Sequence, residues 1–245
     1  MLRQSIIRKN LQLRADILAA VRGFFRHNDY LEVETPYRIP APAPEAHIEA
    51  QPSGAWYLHT SPELCMKQLL AAGYSRVFQI CKCFRKSERG SRHLPELTLL
   101  EWYTAGASYR DMMVQCEELV MAVVRELGRD LGLPYQGGHV DLTPPWKRMS
   151  VSRAFEKYAA ISVEESLEKG RFDEILALDV EPHLGIDRPL FLYDYPADCG
   201  SLARLKPGNV HLAERFELYI RGVELCMSFL KWLFSLCKSL KLNRV

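Results

Sequence analysis

CFRKSERGSRHLPELTLLEWY, residues 83–103, is the stretch on which the fold turns. Val77 to Phe84 reads as a strand, Arg85 to Pro95 as a charged loop, and Glu96 to Tyr103 as a second strand. Two long strands around an eleven-residue loop imply an antiparallel hairpin. Arg85 falls where the first strand ends, with Arg89, Arg92 and His93 following in the loop. Guanidinium groups bind phosphate oxygens bidentately and keep their charge, so the cluster suits a triphosphate. A solvated hairpin loop would carry the same charges with no ligand. On the second strand Glu101 and Tyr103 face one side, within the apolar run Leu97 to Trp102. A carboxylate in such a strand needs a partner, either a substrate ammonium or a neighbouring Lys or Arg.

Upstream of the hairpin, residues 11–28 read as an amphipathic helix with Leu13, Ile17, Ala20, Val21, Phe24 and Phe25 on one stripe. Tyr30 to Thr35 alternates like a strand until Pro36 stops it, and Pro40, Pro42, Pro44 and Pro52 then mark an extended loop. Ser61-Pro62-Glu63 has the order of a helix start, and that helix runs to about Gly73. Downstream, Tyr109 to Gly128 forms another amphipathic helix, and helical patterns return at 150–159 and 164–180. Leu190 to Tyr195 and Arg215 to Val223 read as strands, the second carrying Glu217 and Glu224, whose carboxylates could hold Mg²⁺. Hairpin strands with grouped helices point to an α+β fold on an antiparallel sheet.

Composition narrows the function classes. The chain has 245 residues, 48% apolar and 25% charged, with 32 Lys+Arg against 30 Asp+Glu. These are globular values that exclude a disordered, collagenous or coiled-coil chain. A net charge of +2 does not mark a nucleic-acid-binding protein. No apolar stretch approaches a membrane span, and the N-terminus lacks a signal-peptide core. Seven cysteines without zinc-site spacing fit a reducing cytosol, with Cys81 and Cys83 expected to be buried small hydrophobes. Glycine-rich phosphate loops, HExxH and GxSxG are absent. The last twenty residues stand apart: 226–245 carry Lys231, Lys238, Lys241 and Arg244 and no acid. That leaves 28 bases against all 30 acids in 1–225.

Taken together and in order, these segments resemble class II aminoacyl-tRNA synthetases of the lysyl type. Within that group they look most like the paralogue that attaches lysine or β-lysine to elongation factor P. FFRHNDYLEVETPYRIP resembles the family's first motif, which builds the dimer interface, and residues 83–103 resemble the second motif, which grips ATP. LHTSPELCMKQLLAAGYSRVFQI resembles the amino-acid-binding stretch between them, and AERFELYIRGVEL the strand that meets the metal and ATP phosphates. The resemblance implies an ATP- and Mg²⁺-dependent ligase that forms an aminoacyl-adenylate and passes the acyl group to an acceptor. It assigns Arg85 to the α-phosphate as the catalytic residue, and Lys86, Ser87, His93 and Leu94 to the nucleotide. It assigns Ser61, Pro62 and Glu63 to the ammonium end of the amino acid, and Glu101 and Tyr103 to its pocket. Glu224 and Leu225 would meet the metal-bound ATP, with Glu224 as metal ligand.

The first motif begins near residue 11, which leaves no room for an anticodon-reading OB-fold. Elongation factor P is therefore the expected acceptor. The alternatives are a freestanding lysyl-tRNA synthetase-type domain acting on tRNA and a non-catalytic interaction module. A cytoplasmic homodimer contacting through residues 11–36 is also expected. Four departures from the family pattern bear on activity. Ser87 stands where the family has an acid, with Glu88 displaced by one. Leu94 and Leu97 replace an asparagine and an adenine-stacking phenylalanine. Lys231 takes the place of a glutamate that recognises the substrate side chain, and the third motif has no counterpart. The chain is thus expected to divide into a catalytic domain at 1–225 and an unrelated cationic apolar tail at 226–245. For the tail an amphipathic helix, a core helix and translation out of the ancestral frame are all open, the last favoured.

Overall fold

A computed structural model describes residues 7–42, 48–90, 93–135, 137–200, 203–231 and 234–241, with backbone alone from Phe229 onward. Its contacts group into two compact units, one of residues up to Ala105 with those from Lys238, the other of Gly106–Cys237.

The first unit starts with helix α1 (Arg8–His27), whose buried face is Ala20, Val21 and Phe25. Arg26 and His27 lie in its last turn, where cations favour the helix dipole. Asp29 adopts φ 60°, and the Tyr30 N–H returns to the Phe25 carbonyl at 3.0 Å, which ends the helix. Strand pairing in the next segment is confined to β1 (Leu31–Glu32), parallel to the later strand β5, so the expected strand to Thr35 is mostly irregular. Short strands β2 (Arg38–Ile39), β3 (Pro52–Ser53) and β4 (Trp56–Leu58) form a small antiparallel sheet. Helix α2 (Glu63–Ala71) leads into the hairpin of β5 (Arg76–Phe84) and β6 (Glu96–Ala105).

The hairpin forms as the sequence implied. Its register pairs Val77 with Tyr103, Gln79 with Glu101, Cys81 with Leu99 and Cys83 with Leu97, so these eight residues share one face. On the other face Phe78 and Trp102 pair, and Phe25 of α1 stacks on Phe78 at 4.6 Å. Each of these aromatic residues is at most 1% exposed. Fully burying one such side chain contributes about 1.5–3 kcal/mol, which explains why α1 docks by its Phe25 face.

The second unit opens with α3 (Tyr109–Glu126), capped by a reciprocal Ser108–Asp111 box. A hairpin, β7 (Gly132–Tyr135) and β8 (Gly138–Asp141), precedes β9 (Lys147–Ser150) and α4 (Val151–Tyr158). The single helix expected over 164–180 divides into α5 (Val163–Glu168), α6 (Phe172–Ile175) and a π-turn at Leu176–Val180. Gly170 at φ 62° breaks it. Four strands follow: β10 (Leu190–Pro196), β11 (Leu205–Lys206), β12 (Asn209–Ile220) and β13 (Val223–Lys231). β10 runs parallel to β9 and antiparallel to β12, which pairs antiparallel with β13. Val151, Phe155, Phe172, Val180, Leu190 and Leu192 form the core between the helices and this sheet.

One expectation for the C-terminal third is corrected, and two of the alternatives for the tail, the helical ones, do not match its described backbone. Arg215 to Val223 is not one strand: Arg221 and Gly222, at φ 48° and 68°, make a tight turn between β12 and β13. Their N–H groups donate to the carbonyls of Gly185 (2.7 Å) and Leu184 (2.8 Å), which fixes the turn on the preceding loop. Among the described residues the tail is also not helical. Its described backbone is extended in β13, which the two-residue Arg221-Gly222 turn returns onto β12, and in β14 (Phe234–Lys241). Among the described residues no helix is long and apolar enough to cross a membrane.

Candidate active site

Arg85 follows β5 directly, and its N–H donates to the Pro95 carbonyl at 2.8 Å, closing the base of the loop. Its guanidinium is 11% exposed and pairs with Glu88 at 3.1 Å. Its Nε reaches the Thr60 carbonyl at 3.5 Å. The acid displaced by one residue from the family position therefore still reaches the arginine. A guanidinium held on two sides, with little side-chain entropy left to lose, is prepared to bind an anionic oxygen.

Lys86 and Ser87 meet on a residue that sequence reasoning missed. Lys86 pairs with the Glu49 carboxylate, and Ser87 Oγ donates to its second oxygen at 2.9 Å. Hydrogen bonds from Lys86 and then Ser87 hold the Glu49 carboxyl below its ordinary value. Nothing in the local sequence marks Glu49, since the pairing spans 37 residues from Lys86. His93 and Leu94 are exposed in the loop, and Arg92 lies outside the described residues. Leu97 is instead buried among Cys81, Cys83 and Leu99.

Ser61, Glu101 and Tyr103 come together. Ser61 Oγ donates to Glu101 Oε2 at 2.7 Å and accepts the Glu63 N–H at 3.1 Å. The Tyr103 hydroxyl donates to Glu101 Oε1 at 2.6 Å. Pro62 caps α2, and Glu63 in its first turn forms an i,i+4 ion pair with Lys67. Ser61, Glu63, Glu101 and Tyr103 are each at most 5% exposed. Hydrogen bonds to an ionised acceptor are shorter and stronger than neutral ones, so both oxygens of Glu101 are aimed as well as solvated. A carboxylate fixed in this way presents a defined negative charge to an ammonium group.

In the second unit, β12 presents Arg215, Glu217 and Tyr219 on one face. Arg215 pairs with Glu217 and donates to the Cys199 carbonyl, and its guanidinium lies 4.4 Å from the Tyr195 ring centre. The Tyr219 hydroxyl donates to Glu217 at 2.6 Å. Burial works against ionisation of Glu217, but the Arg215 cation and then the Tyr219 and Tyr195 hydroxyls outweigh it and hold the carboxyl below its ordinary value. Burial, and then the Glu217 charge, pushes the Tyr195 hydroxyl well above the usual phenol range. The register places Glu224 opposite Tyr219, on the face that carries Glu217. Carboxylate oxygens are the donors a hard divalent cation takes, so Glu217 and Glu224 fit Mg²⁺ by donor type. Leu225 packs against the apolar cluster of Val140, Leu142 and Ile220. The alternation R-F-E-L-Y at 215–219 is the signal that could have marked Arg215 and Tyr219.

The family model described as "tRNA synthetases class II (D, K and N)" matches residues 1–232. The chain belongs to the class II tRNA synthetase family. Among curated proteins, the "Elongation factor P--(R)-beta-lysine ligase" of Klebsiella pneumoniae (strain 342) is 38% identical over 237 residues, 90% of this chain and 72% of that protein. The protein of the same name from Vibrio atlanticus (strain LGP32) is 34% identical over 237 residues, covering 90% and 73%. That from Pectobacterium carotovorum subsp. carotovorum (strain PC1) is 36% identical over 240 residues, covering 90% and 72%. Membership in the class II tRNA synthetase family fits the α+β architecture and implies use of ATP.

Proposed function

We propose that the chain activates lysine or β-lysine with ATP and transfers it to a lysine of elongation factor P. In the first step an oxygen of the amino-acid carboxylate attacks the α-phosphorus, the bond to the β-phosphate bridging oxygen breaks, and pyrophosphate leaves. In the second the acceptor amine attacks the acyl carbon, AMP departs, and an amide forms with loss of a proton. The observation that carries the reading is the buried Ser61–Glu101–Tyr103 group, supported by the relatives, which act on elongation factor P by name. Glu101 and Glu63 offer negative charge to a lysine-like substrate, while Ser61 and Tyr103 hold Glu101 in place. Arg85 neutralises charge developing at the α-phosphate, and most catalysis of this kind is positioning and electrostatics. Lys86, Ser87, His93 and Leu94 line the nucleotide. Glu224, with Glu217 beside it, is the carboxylate for Mg²⁺, which would neutralise phosphate charge when bound.

Pyrophosphate exchange with lysine and β-lysine tests the reading. Arg85→Ala is expected to abolish exchange with folding intact, and retained exchange would refute its role. Labelled elongation factor P and labelled tRNA then separate the two acceptors, while absence of exchange with both amino acids would favour a non-catalytic module. The same resemblance supports a homodimer through residues 11–36. The exposed apolar side chains of Leu11 and Leu31 are what such a contact would cover.

A further inference from the structure

A second polar constellation lies in the first unit, beside the Ser61–Glu101–Tyr103 group. β5 presents Cys81 and Cys83 on one face, and their sulfurs are 3.8 Å apart. His59, two residues before Ser61, brings Nε2 to 3.9 Å from Cys83 Sγ. The three ligating atoms lie within 4.8 Å of one another. His59 and Cys83 are wholly buried and Cys81 is 3% exposed.

The spacing fits a metal better than a disulfide. Two thiolates on one tetrahedral zinc, at about 2.3 Å each, stand about 3.8 Å apart, with an imidazole nitrogen about 3.5 Å from each sulfur. The sulfur separation already matches, the distance from His59 Nε2 to Cys83 is a few tenths of an ångström longer, and all three atoms lie within 4.8 Å of one another. Residues i and i+2 of a strand have Cα atoms about 6.7 Å apart and parallel Cβ directions. That is the upper limit for a disulfide, whose Cβ atoms must converge.

The polar surroundings point the same way. Nδ1 of His59, Oγ1 of Thr60 and Nε2 of Gln79 are buried and have no hydrogen-bond partner. Native interiors rarely leave such groups unmatched; the Thr60 hydroxyl and the His59 ring nitrogen carry lone pairs that a cation can meet, whereas the Gln79 amide nitrogen is a donor and does not bear on the site. The donors are soft: thiolate and imidazole select zinc or copper(I), whereas the carboxylates Glu217 and Glu224 suit magnesium.

We propose that His59, Cys81 and Cys83 form a binding site for a soft d10 cation, Zn²⁺ or Cu⁺. Binding displaces both thiol protons to solvent, and the imidazole coordinates through one ring nitrogen and keeps its proton on the other; no electron is transferred. The Lys82 carbonyl, 2.6 Å from His59 Nε2, is a hydrogen-bond acceptor that orients the ring; Cu⁺ is satisfied by three ligands, and zinc takes its fourth from water. The ion would tie residues 59–61 to β5. The His59 carbonyl already accepts the Phe84 N–H at 3.0 Å, and the Thr60 carbonyl accepts from Arg85. Occupancy is therefore felt at the residues that hold Arg85 and Glu101.

The test uses the full chain with Co²⁺ as a spectroscopic probe, Zn²⁺ as competitor, and Cu⁺ offered in competition with a chromophoric copper(I) chelator. One ion per chain is expected, with a thiolate-to-cobalt charge-transfer band that Zn²⁺ abolishes, or one Cu⁺ retained against the chelator. Cys81→Ala and Cys83→Ala should remove the signal, His59→Gln should weaken affinity at least tenfold, and Cys65→Ala should change nothing. No cobalt band together with no retained copper would overturn the proposal, as would a signal that survives Cys81→Ala and Cys83→Ala. Should those variants fail to fold, X-ray absorption on the loaded wild-type protein decides independently. A shell with two sulfurs is expected, and one of oxygen and nitrogen alone would refute the site.

Discussion

Replacing Arg215 by methionine keeps most of the side-chain volume but removes the cation that faces Glu217. The two side chains are 17% and 7% exposed, so the pair is nearly desolvated. Removing one partner of a buried pair strands the other charge, at a cost of about 3–5 kcal/mol. The Tyr219 hydroxyl at 2.6 Å remains and recovers part of this, which places the expected loss near the lower end of the range. The pH dependence supplies a sign that packing alone cannot mimic. In the wild type the Glu217 carboxyl is depressed, so its contribution is full above the unfolded carboxylate pKa, about 4.3. It is lost as pH falls through the lower folded value. In Arg215→Met burial is left unopposed by the cation, the folded pKa rises above the unfolded one, and the same group costs stability as pH increases. Urea unfolding at pH 4, 5, 6 and 7 is the assay. A loss that grows from pH 4 to pH 7 is expected, and Arg215→Met/Glu217→Leu should recover most of it. A loss under about 1 kcal/mol, or one independent of pH, would show that the pair is as weakly coupled as a surface salt bridge.

Three further outcomes follow from the same geometry. Tyr103→Phe removes one hydroxyl from buried Glu101 and should cost about 1.5–3 kcal/mol, with KM for the amino acid raised more than kcat is lowered. In a double-mutant cycle with Ser61→Ala the two losses should not add, because both hydroxyls serve one carboxylate. Gly185→Ala places a Cβ 2.2 Å from the Tyr219 carbonyl oxygen at a residue with φ 65°. About 2–4 kcal/mol of destabilisation in thermal unfolding is expected from the combined overlap and left-handed strain.

The α1 stripe and the β5–β6 hairpin could be read from the sequence because each depends on a local period. Residues 3.6 apart on a helix, or two apart on a strand, must share a face whatever surrounds them. Cys81 and Cys83 were legible as same-face neighbours for that reason, and so were Glu101 and Tyr103. The Arg221-Gly222 turn was not, since arginine is an uncommon left-handed residue and the flanking residues alternate like one continuous strand. Ser61 was placed near the amino acid by family resemblance, but its bond to Glu101 spans 40 residues and has no local pattern. Glu49, which binds Lys86 and Ser87, left no sequence signal at all.

By itself, then, the sequence determined the first helix, the β5–β6 hairpin, the α+β class and the family, because these rest on short-range periodicity and on motifs that survive in linear order. Only the tertiary structure decided what each polar side chain faces. Glu88 meets Arg85, Tyr219 meets Glu217, and His59 joins the two cysteines. Those pairings depend on distances of a few ångströms between distant parts of the chain, and it is there that the strength of a buried charge is set.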